Sequence, residues 1–294
     1  MNNIQSALEI LKSNSITPLT EGITSTDIST TDEIVSRVIS QKGIDSLAYQ
    51  ICDVQPLHGP TGAVFALNYD STTSKSTLDR ANVTVSEDTP VNTNFTQEAL
   101  QDLLSQFGKG GLGFISSIFS GISSNDENTK LLANMTTWAK NELTLTLTAP
   151  GNAETTSFEV TQKVSELVLD MNSKTFRTLD SFVVLPQKAA ASFMALDSFF
   201  NDYAIEAGLF LGKKGKTKFY VNPDPLSTEA FVGLHSEHKL GCSSIIMSPY
   251  QHTIQQAVNQ DTGNIYMYNF NRYAMTLSPL NKVNNEILRK FTIA

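Results

Sequence analysis

Four consecutive residues late in the chain, His235, Ser236, Glu237 and His238, carry side chains of the kind that build hydrolytic metal sites. Two imidazoles near a carboxylate are typical of zinc enzymes, in which the carboxylate acts as a base. The helical zinc motif, however, spaces its histidines four residues apart, and these two are three apart. The spacing therefore favours a polar turn between strands.

Two glycine-containing stretches are similar in letters to phosphate-binding loops. Residues 108–113 satisfy Gly-x-Gly-x-x-Gly, but a dinucleotide site needs this pattern after a strand, and the preceding residues predict a helix. Gly215-Lys216-Thr217 ends like a phosphate loop, yet Phe210 occupies the position of its first glycine. We interpret the first stretch as a flexible break and the second as a hairpin tip.

The remaining reactive side chains follow no catalytic pattern. There is no Gly-x-Ser-x-Gly elbow, the four histidines are scattered, and no carboxylate pair stands apart from an ordinary surface. Cys52 and Cys242 are too distant in sequence for a Cys-x-x-Cys motif and are expected to be buried thiols. We therefore predict that the protein is not an enzyme and uses no catalytic residue, metal ion or cofactor.

Composition excludes further classes. A net charge of -8 argues against a protein whose main task is to hold nucleic acid, since phosphate neutralisation needs clustered Lys and Arg. The densest basic cluster, Lys213, Lys214, Lys216 and Lys218, is more typical of a solvated hairpin tip. No long apolar run or signal peptide is present, which predicts synthesis in the cytoplasm without a membrane span. Only 17% of residues are charged, which suits a surface buried in many contacts.

The start of the chain predicts an arm. Ile4, Leu8 and Leu11 recur at helical spacing, and a second short amphipathic helix is predicted around 34–39, after a Ser/Thr-rich connector at 25–31. A stripe of three apolar residues buries too little surface to order a helix by itself. We therefore expect the arm to pack against a neighbouring element or subunit.

The middle of the chain predicts a hairpin followed by helices. An apolar strand at 63–69 and a returning strand at 81–85 flank a small, polar linker at 70–77. The helical patterns that follow lie at 96–107, 114–122 and 131–139, with the glycine break at 108–113. Leu143, Leu145 and Leu147 then alternate with threonines, which predicts a strand with one buried face.

The second half of the chain mixes helices and strands, so the fold class is α+β. Apolar residues at helical spacing come first, and β-rich runs between turn residues follow. The predicted elements are a helix at 158–175, a strand at 181–185, a helix at 187–196 and strands at 209–211, 218–221, 230–234, 244–247 and 264–269.

A rigid turn before the apolar strand carries a family resemblance. Two prolines and two glycines fix its backbone. It resembles the Gln-Pro-hydrophobic-x-Gly-Pro-Thr-Gly sequence of T-even-like tailed-phage major capsid proteins, which leads into a long hairpin called the E-loop. The motif residues are Gln55, Pro56, Gly59, Pro60, Thr61 and Gly62.

Later segments resemble the same family, in the family's order. Residues 177–186 and 189–196 are similar to a strand and helix of its shell proteins, and 219–225, 231–234 and 245–250 to its closing strands. Residues 271–275, Asn-Arg-Tyr-Ala-Met, resemble its Arg-Tyr-Gly motif.

The resemblance implies the Hong Kong 97-type capsid fold, with an N-arm, an E-loop, a P domain containing a spine helix, and an A domain. The glycine stretch predicts that the spine helix is interrupted. The implied division is an arm at 1–54, the turn and E-loop at 55–95, the P domain at 96–150, the A domain at 151–265, and a return to the P domain at 266–294.

The resemblance also implies a role. The protein is expected to be a major capsid protein that assembles in the host cytoplasm into hexamers, with pentamers as a further option, and encloses phage DNA in an icosahedral head. Its expected partners are copies of itself, a scaffold, a portal and decoration or vertex proteins, with packaged DNA held without sequence specificity and no membrane. Its expected location is the virion.

Contact residues are implied at two places. In the E-loop they are Lys75, Asp79 and Arg80, and in the arm they are Ile4, Leu8 and Leu11. Leu19-Thr20-Glu21-Gly22 matches the family's maturation cleavage context, with the cut between Glu21 and Gly22. A chance match in a linker is the alternative that we favour.

Three other functions stay open at this point. The first is a pentameric capsid vertex protein, which the sequence does not distinguish from a hexamer-former. The second is a β-rich virion tail or adhesion module. The third is a metal-dependent hydrolase that uses His235 and His238.

Overall fold

The structure is a computed structural model that describes residues 46–70, 75–96, 102, 105–106, 109–149, 151–175, 180–196, 209–235, 241–258, 265–281 and 286–294. The predicted arm helices, the cleavage motif and most of the predicted helix at 96–107 lie outside these residues. No helix in the described part of the chain is long and apolar enough to cross a membrane.

The described elements are four α-helices, one short 3-10 helix (Pro279–Asn281) and twelve strands. The helices are α1 (Leu47–Ile51), α2 (Lys109–Trp138), α3 (Ala153–Thr175) and α4 (Gln187–Met194). The strands are β1 (Asp53–Val54), β2 (Thr61–Asp70), β3 (Lys75–Thr84), β4 (Glu87–Phe95), β5 (Lys140–Asn141), β6 (Ser181–Leu185), β7 (Phe210–Lys214), β8 (Thr217–Val221), β9 (Glu229–Leu234), β10 (Ile245–Val258), β11 (Ile265–Leu277) and β12 (Leu288–Thr292).

Three sheets organise these strands. The largest has the order β5-β12-β9-β6-β8-β7, the second has the order β1-β10-β11-β4, and β2 pairs only with β3 in a separate hairpin. In the large sheet β6 is parallel to β8 and antiparallel to β9. The hairpin therefore projects from a body that is built around the other two sheets.

The core lies on both faces of the large sheet. In β6 all five residues are buried, as expected for a central strand covered on both sides. Phe182 and Val184 pack on α1, α2 and the four-stranded sheet. Val183 and Leu185 pack on the other face, against α3 and α4. Because successive side chains of a strand point to opposite faces of the sheet, this one short apolar run contributes to two core layers.

Helix α2 corrects the prediction of a glycine break. It runs without interruption from Lys109 to Trp138, through most of the glycine stretch, so the predicted separate helices at 114–122 and 131–139 are wrong. A glycine inside a helix costs only about 1 kcal/mol relative to alanine. Phe119, Leu131 and Met135 are completely buried, and this burial outweighs the local penalty.

Several boundaries also differ from the prediction. Helix α3 begins five residues early because the Oδ1 atom of Asn152 accepts a hydrogen bond from Thr155 N (3.2 Å) and caps it. Strand β4 was not predicted. It lies within the segment assigned to the E-loop, but it pairs with β11 and not with the β2–β3 hairpin. The predicted Leu/Thr strand at 143–147 does not form a regular strand; the two-residue β5 lies just before it, and Leu145 makes only an isolated bridge to Ile293 beside the last strand. Leu145 and Leu147 pack on the core, whereas Leu143 is 83% exposed.

Sheet membership crosses the division implied by the resemblance at two points. Strand β10, inside the 151–265 segment, pairs with β1 and β11. Strand β12, inside the 266–294 segment, lies between β5 and β9 in the large sheet. Buried Arg289 holds this last strand in place through ion pairs with Glu142 and with Asp170 (2.6 Å).

The turn after β9 contains one buried histidine. His235 lies with its Nδ1 atom 3.0 Å from Ser243 Oγ, while the other residues of the candidate metal motif lie outside the description. Burial, with a smaller effect of Lys218, lowers the pKa of His235 to about 3. The described residues contain no group of three or more His, Cys, Asp or Glu that would hold a metal ion.

The low pKa of His235 predicts a specific loss of stability in acid. Above pH 6.5 the imidazole is neutral in both states, and from about 6.5 down to 3 only the unfolded chain binds the proton. The free energy of unfolding should therefore fall by about 2 kcal/mol between pH 6.5 and 4.5 from this residue alone. Urea unfolding of the unassembled subunit measures it.

Comparison of variants isolates this contribution from other titrating groups. His235→Asn keeps a polar group near Ser243 and should flatten the pH dependence by that amount. His58→Gln, at an exposed histidine, should leave it unchanged. An unaltered slope in His235→Asn would contradict the assignment.

Candidate functional site

The turn of residues 55–62 forms the base of the β2–β3 hairpin. Gln55 N donates to Met247 O and Leu57 N donates to Pro249 O, both at 2.9 Å, so the turn prolongs the pairing of β1 with β10. Val85 N donates to Pro60 O at 2.8 Å and closes the hairpin below its last strand pair. The motif that suggested the family is therefore a junction between the body and the hairpin.

The side chain of Gln55 clamps the first hairpin strand. Its Oε1 atom accepts from Phe65 N, and its Nε2 atom donates to Phe65 O, both at 2.8 Å. The same Nε2 group donates to Asp53 Oδ2 at 2.9 Å. A primary amide can donate and accept at once, so it replaces a neighbouring strand at one residue of the hairpin.

Asp53 connects this clamp to a second segment. Its Oδ2 atom also accepts from Gly241 N at 2.6 Å. Burial raises the pKa of Asp53, and the hydrogen bonds from Gln55 and Gly241 oppose that rise. Gly241 has φ +68°, and a Cβ there would lie 2.7 Å from Ala66 Cα. Glycine is thus required both by the backbone conformation and by the close approach to β2.

Gly62 is required for a different reason. A Cβ at this position would lie 2.6 Å from Leu57 Cδ2. Leu57 is buried in a small core with Val64, Ile246 and Ala274. The last glycine of the motif therefore allows the turn to fold tightly onto its own leucine.

The two faces of the hairpin differ. On the inner face Val64, Ala66 and Val83 are buried. On the opposite face Phe65 pairs across the strands with Arg80, and Leu67 pairs with Leu78, which is 65% exposed. We call Phe65, Leu67, Leu78 and Arg80 the outer hairpin face. It presents three large apolar side chains to solvent from a two-stranded ribbon.

A buried carboxylate holds the start of α1 against α2 and β11. Glu127 of α2 accepts a hydrogen bond from Ser46 Oγ at 3.1 Å and another from the amide of Asn271 on β11. Asn128 Oδ1 accepts from Leu47 N at 2.9 Å. Burial raises the pKa of the nearby Tyr49 hydroxyl well above its usual value, and Glu127 adds to this effect.

The predicted contact residues fall in different places. Arg80 lies on the outer hairpin face, whereas Asp79 points inward and accepts from Asn68 Nδ2 at 3.2 Å. Lys75 is the first residue of β3, and its side chain is outside the description. The arm residues Ile4, Leu8 and Leu11 and the cleavage residues Glu21 and Gly22 also lie outside it, so all of these assignments stay predictions.

The apolar members of the outer hairpin face were missed in the sequence. The signal was present, because β2 carries large apolar residues on both of its faces instead of alternating with polar ones. A projecting hairpin has only one face to bury against its own body. Exposed apolar patches of this kind are typical of contact surfaces between proteins.

Comparison with known protein families identifies one match. The family model described as major capsid protein Gp23 matches residues 76–293, which is well over half of the chain. A search of curated proteins finds no match.

The fold is similar to several solved structures at low sequence identity. A virus-like particle from Pyrococcus furiosus matches with TM-score 0.58 and 10% identity, over 89% of this chain and 98% of that one. A phage-related protein from Bordetella bronchiseptica RB50 matches with TM-score 0.56 and 8% identity, over 88% and 96%. The satellite phage P4 procapsid, solved with its size determination protein, matches with TM-score 0.51 and 9% identity, over 92% and 99%.

These likenesses establish a Hong Kong 97-type capsid fold. Together with the family match they remove the tail or adhesion module and the hydrolase as alternatives. The chain belongs to the Gp23 family of phage major capsid proteins, structural components of the virion that form its shell.

Proposed function

We propose that this protein assembles into hexamers, and into pentamers at vertices, that close an icosahedral head around phage DNA. The observation that carries the proposal is the outer hairpin face, which is apolar, exposed and rigidly attached to the body. Closed rings need head-to-tail contacts, in which one patch binds a different patch of the next copy. A projecting hairpin supplies a patch that reaches beyond the compact body.

The attachment of the hairpin matters because a loose hairpin would lose entropy on binding. The clamp from Gln55 and the close approach of Gly241 fix the strand that carries Phe65 and Leu67. Because the hairpin is already ordered before association, less of the free energy gained by burying its apolar face is lost in ordering it. The hairpin therefore loses little entropy when it makes a contact.

The charge of the chain is consistent with a container for DNA. With a net charge of -8, a wall made of this protein repels phosphate, so the genome is enclosed without sticking to the shell. Assembly in the host cytoplasm, with a scaffold, a portal and decoration proteins as partners, completes the proposal.

Electron microscopy and sedimentation velocity of the full chain test it. Shells, tubes or hexameric rings are expected, and pentamers alone would assign the vertex role instead. A monomer that persists at high concentration, even with its scaffold supplied, would reject the proposal.

Leu78 on the outer hairpin face provides a sharper prediction. Leu78→Asp should raise the protein concentration needed for assembly at least tenfold, because burying a leucine contributes about 1.5–3 kcal/mol. The free energy of unfolding should change by less than about 0.5 kcal/mol, because the side chain is exposed in the subunit. Light scattering and urea unfolding measure the two effects. Leu78→Met, which keeps the apolar surface, should assemble normally; equal assembly of both variants would exclude this face.

Gln55 predicts the local stability of the hairpin. Gln55→Ala removes two hydrogen bonds to the backbone of Phe65, with a net contribution of about 1 kcal/mol each. Amide hydrogen exchange in the first hairpin strand should then accelerate about 30-fold. His58→Ala, at an exposed side chain in the same turn, is the matched control. Unchanged exchange in Gln55→Ala would show that the clamp does not hold the hairpin.

A further inference from the structure

The first half of helix α2 buries a polar face. Ser120, Ser123 and Glu127 follow one another at the spacing of one helix face, and Ser124 lies beside them. None of these four side chains is more than 2% exposed. About one turn further on, Leu131 occupies the buried face and packs in the apolar core. The contact that α2 makes with the body therefore changes from polar to apolar along the helix.

Strand β11 presents a polar face to this part of α2. Asn269, Asn271 and Tyr273 alternate along the strand, so their side chains point to the same side of the sheet, and all three are completely buried. The amide of Asn271 donates a hydrogen bond to Glu127 Oε1. One turn later on the helix, Lys130 Nζ lies 5.7 Å from the centroid of the Tyr273 ring. Helix α2 and strand β11 therefore run past each other in the same direction.

The shared direction brings the serines of α2 to the level of Asn269. Ser123 and Ser124 come about one helical turn before Glu127, and Asn269 comes two residues before Asn271. Both offsets amount to about 5–7 Å along the elements, measured from the hydrogen bond between Glu127 and Asn271. We call this contact the polar seam, and its members are Ser120, Ser123, Ser124, Glu127, Asn269 and Asn271.

Six polar atoms of the seam have no hydrogen-bond partner among the described residues. They are the hydroxyls of the three serines, both amide atoms of Asn269, and Asn271 Oδ1. A helical hydroxyl can donate to the carbonyl four residues earlier, as Thr129 Oγ1 does to Asn125 O at 2.8 Å, but these serines do not. Burying a polar atom without a partner costs more free energy than a satisfied hydrogen bond contributes. So many buried polar atoms in one interface therefore require a bound hydrogen-bonding group.

The chemistry of the seam favours water as that group. The unpartnered atoms include both donors and acceptors, and none of them is charged. A cation would bind the oxygens but would leave the amide hydrogens of Asn269 facing a positive charge. An anion would lie near the carboxylate of Glu127, which already accepts from Ser46 Oγ and from the amide of Asn271. A water molecule donates and accepts at once, and in a protein interior it typically makes about three hydrogen bonds.

We propose that the polar seam binds a row of ordered water molecules that join α2 to β11. The site belongs to the folded subunit, so it goes beyond the proposed shell role and is independent of it. Hydrogen bonds through water exchange partners when a helix shifts, whereas close-packed apolar side chains resist displacement. The first half of α2 is therefore the part of the helix that can move on the four-stranded sheet, and its apolar second half is the anchor.

An experimental density map of the full chain, at a resolution that shows bound water, tests the site directly. At least one water molecule is expected within about 3.2 Å of the Asn269 amide, with a second hydrogen bond to Ser123 or Ser124. A bound atom held only by oxygens at about 2.3–2.6 Å would be a cation such as Ca²⁺. That result would overturn the proposal, and so would a seam that closes without any bound molecule.

Urea unfolding of serine variants tests the site through stability. The double variant with S123A and S124A loses two hydrogen-bond partners of the bound water, so its unfolding equilibrium constant should rise about fivefold relative to a matched control. The control carries S165A and S173A, at two exposed serines of α3, and corrects for the higher helix propensity of alanine. A seam variant as stable as the control, or more stable, would show that the hydroxyls have no bound water and would overturn the proposal.

Amide hydrogen exchange of the full chain tests the mobility of α2. The amides of residues 119–127 should exchange at least tenfold faster than those of residues 129–137. Asn269→Leu, combined with S123A and S124A, makes the seam apolar and should slow exchange of the first group about tenfold while leaving the second group unchanged. Equal exchange of the two groups in the wild-type chain, or no slowing in the apolar variant, would overturn the assignment of the mobile half.

Discussion

The amide of Gln55 is the interaction on which the outward-facing architecture depends. A two-stranded ribbon is only marginally stable in water by itself, so the β2–β3 hairpin must obtain its order from the body. Gln55 pairs with both backbone groups of Phe65, and Asp53 joins that amide to the segment at Gly241. The inner face of the hairpin can then pack on the body, which leaves the apolar outer face turned to solvent. The hydrogen bonds at the base of the hairpin thus determine that the outer hairpin face is the exposed one.

Apolar layers on both faces of the large sheet make the body rigid, whereas the start of α1 is held by polar groups. The large sheet is covered on both faces, so little of it is left for contact with other molecules. Where α1 meets α2, Glu127 and Asn128 provide directed hydrogen bonds, which specify one orientation better than apolar packing does.

Much of the body was predictable because local patterns agreed with the tertiary environment. Strand β6 and helix α4 were found from their apolar runs, and the turn at 55–62 from its prolines and glycines. The prediction of a glycine break failed because tertiary burial of α2 overrode the local helix propensity of the glycines. Strand β4 was not predicted because its pairing partner, β11, lies far away in sequence. The exposed apolar residues of β2 were missed although the strand carries large apolar residues on both faces, because hydrophobicity alone predicts burial and only the fold shows that Phe65 faces solvent.

The small size of the outer hairpin face has a consequence for the proposed assembly. It presents only three large apolar side chains, so a single contact through it would be weak. In a closed ring, however, every subunit makes each contact with its neighbours, and the effective concentration for the last contact is high. Weak contacts also dissociate, which allows a misplaced subunit to leave before the ring closes. Under the proposed assembly, a rigid subunit with a small contact patch would therefore combine reversible early steps with a stable product.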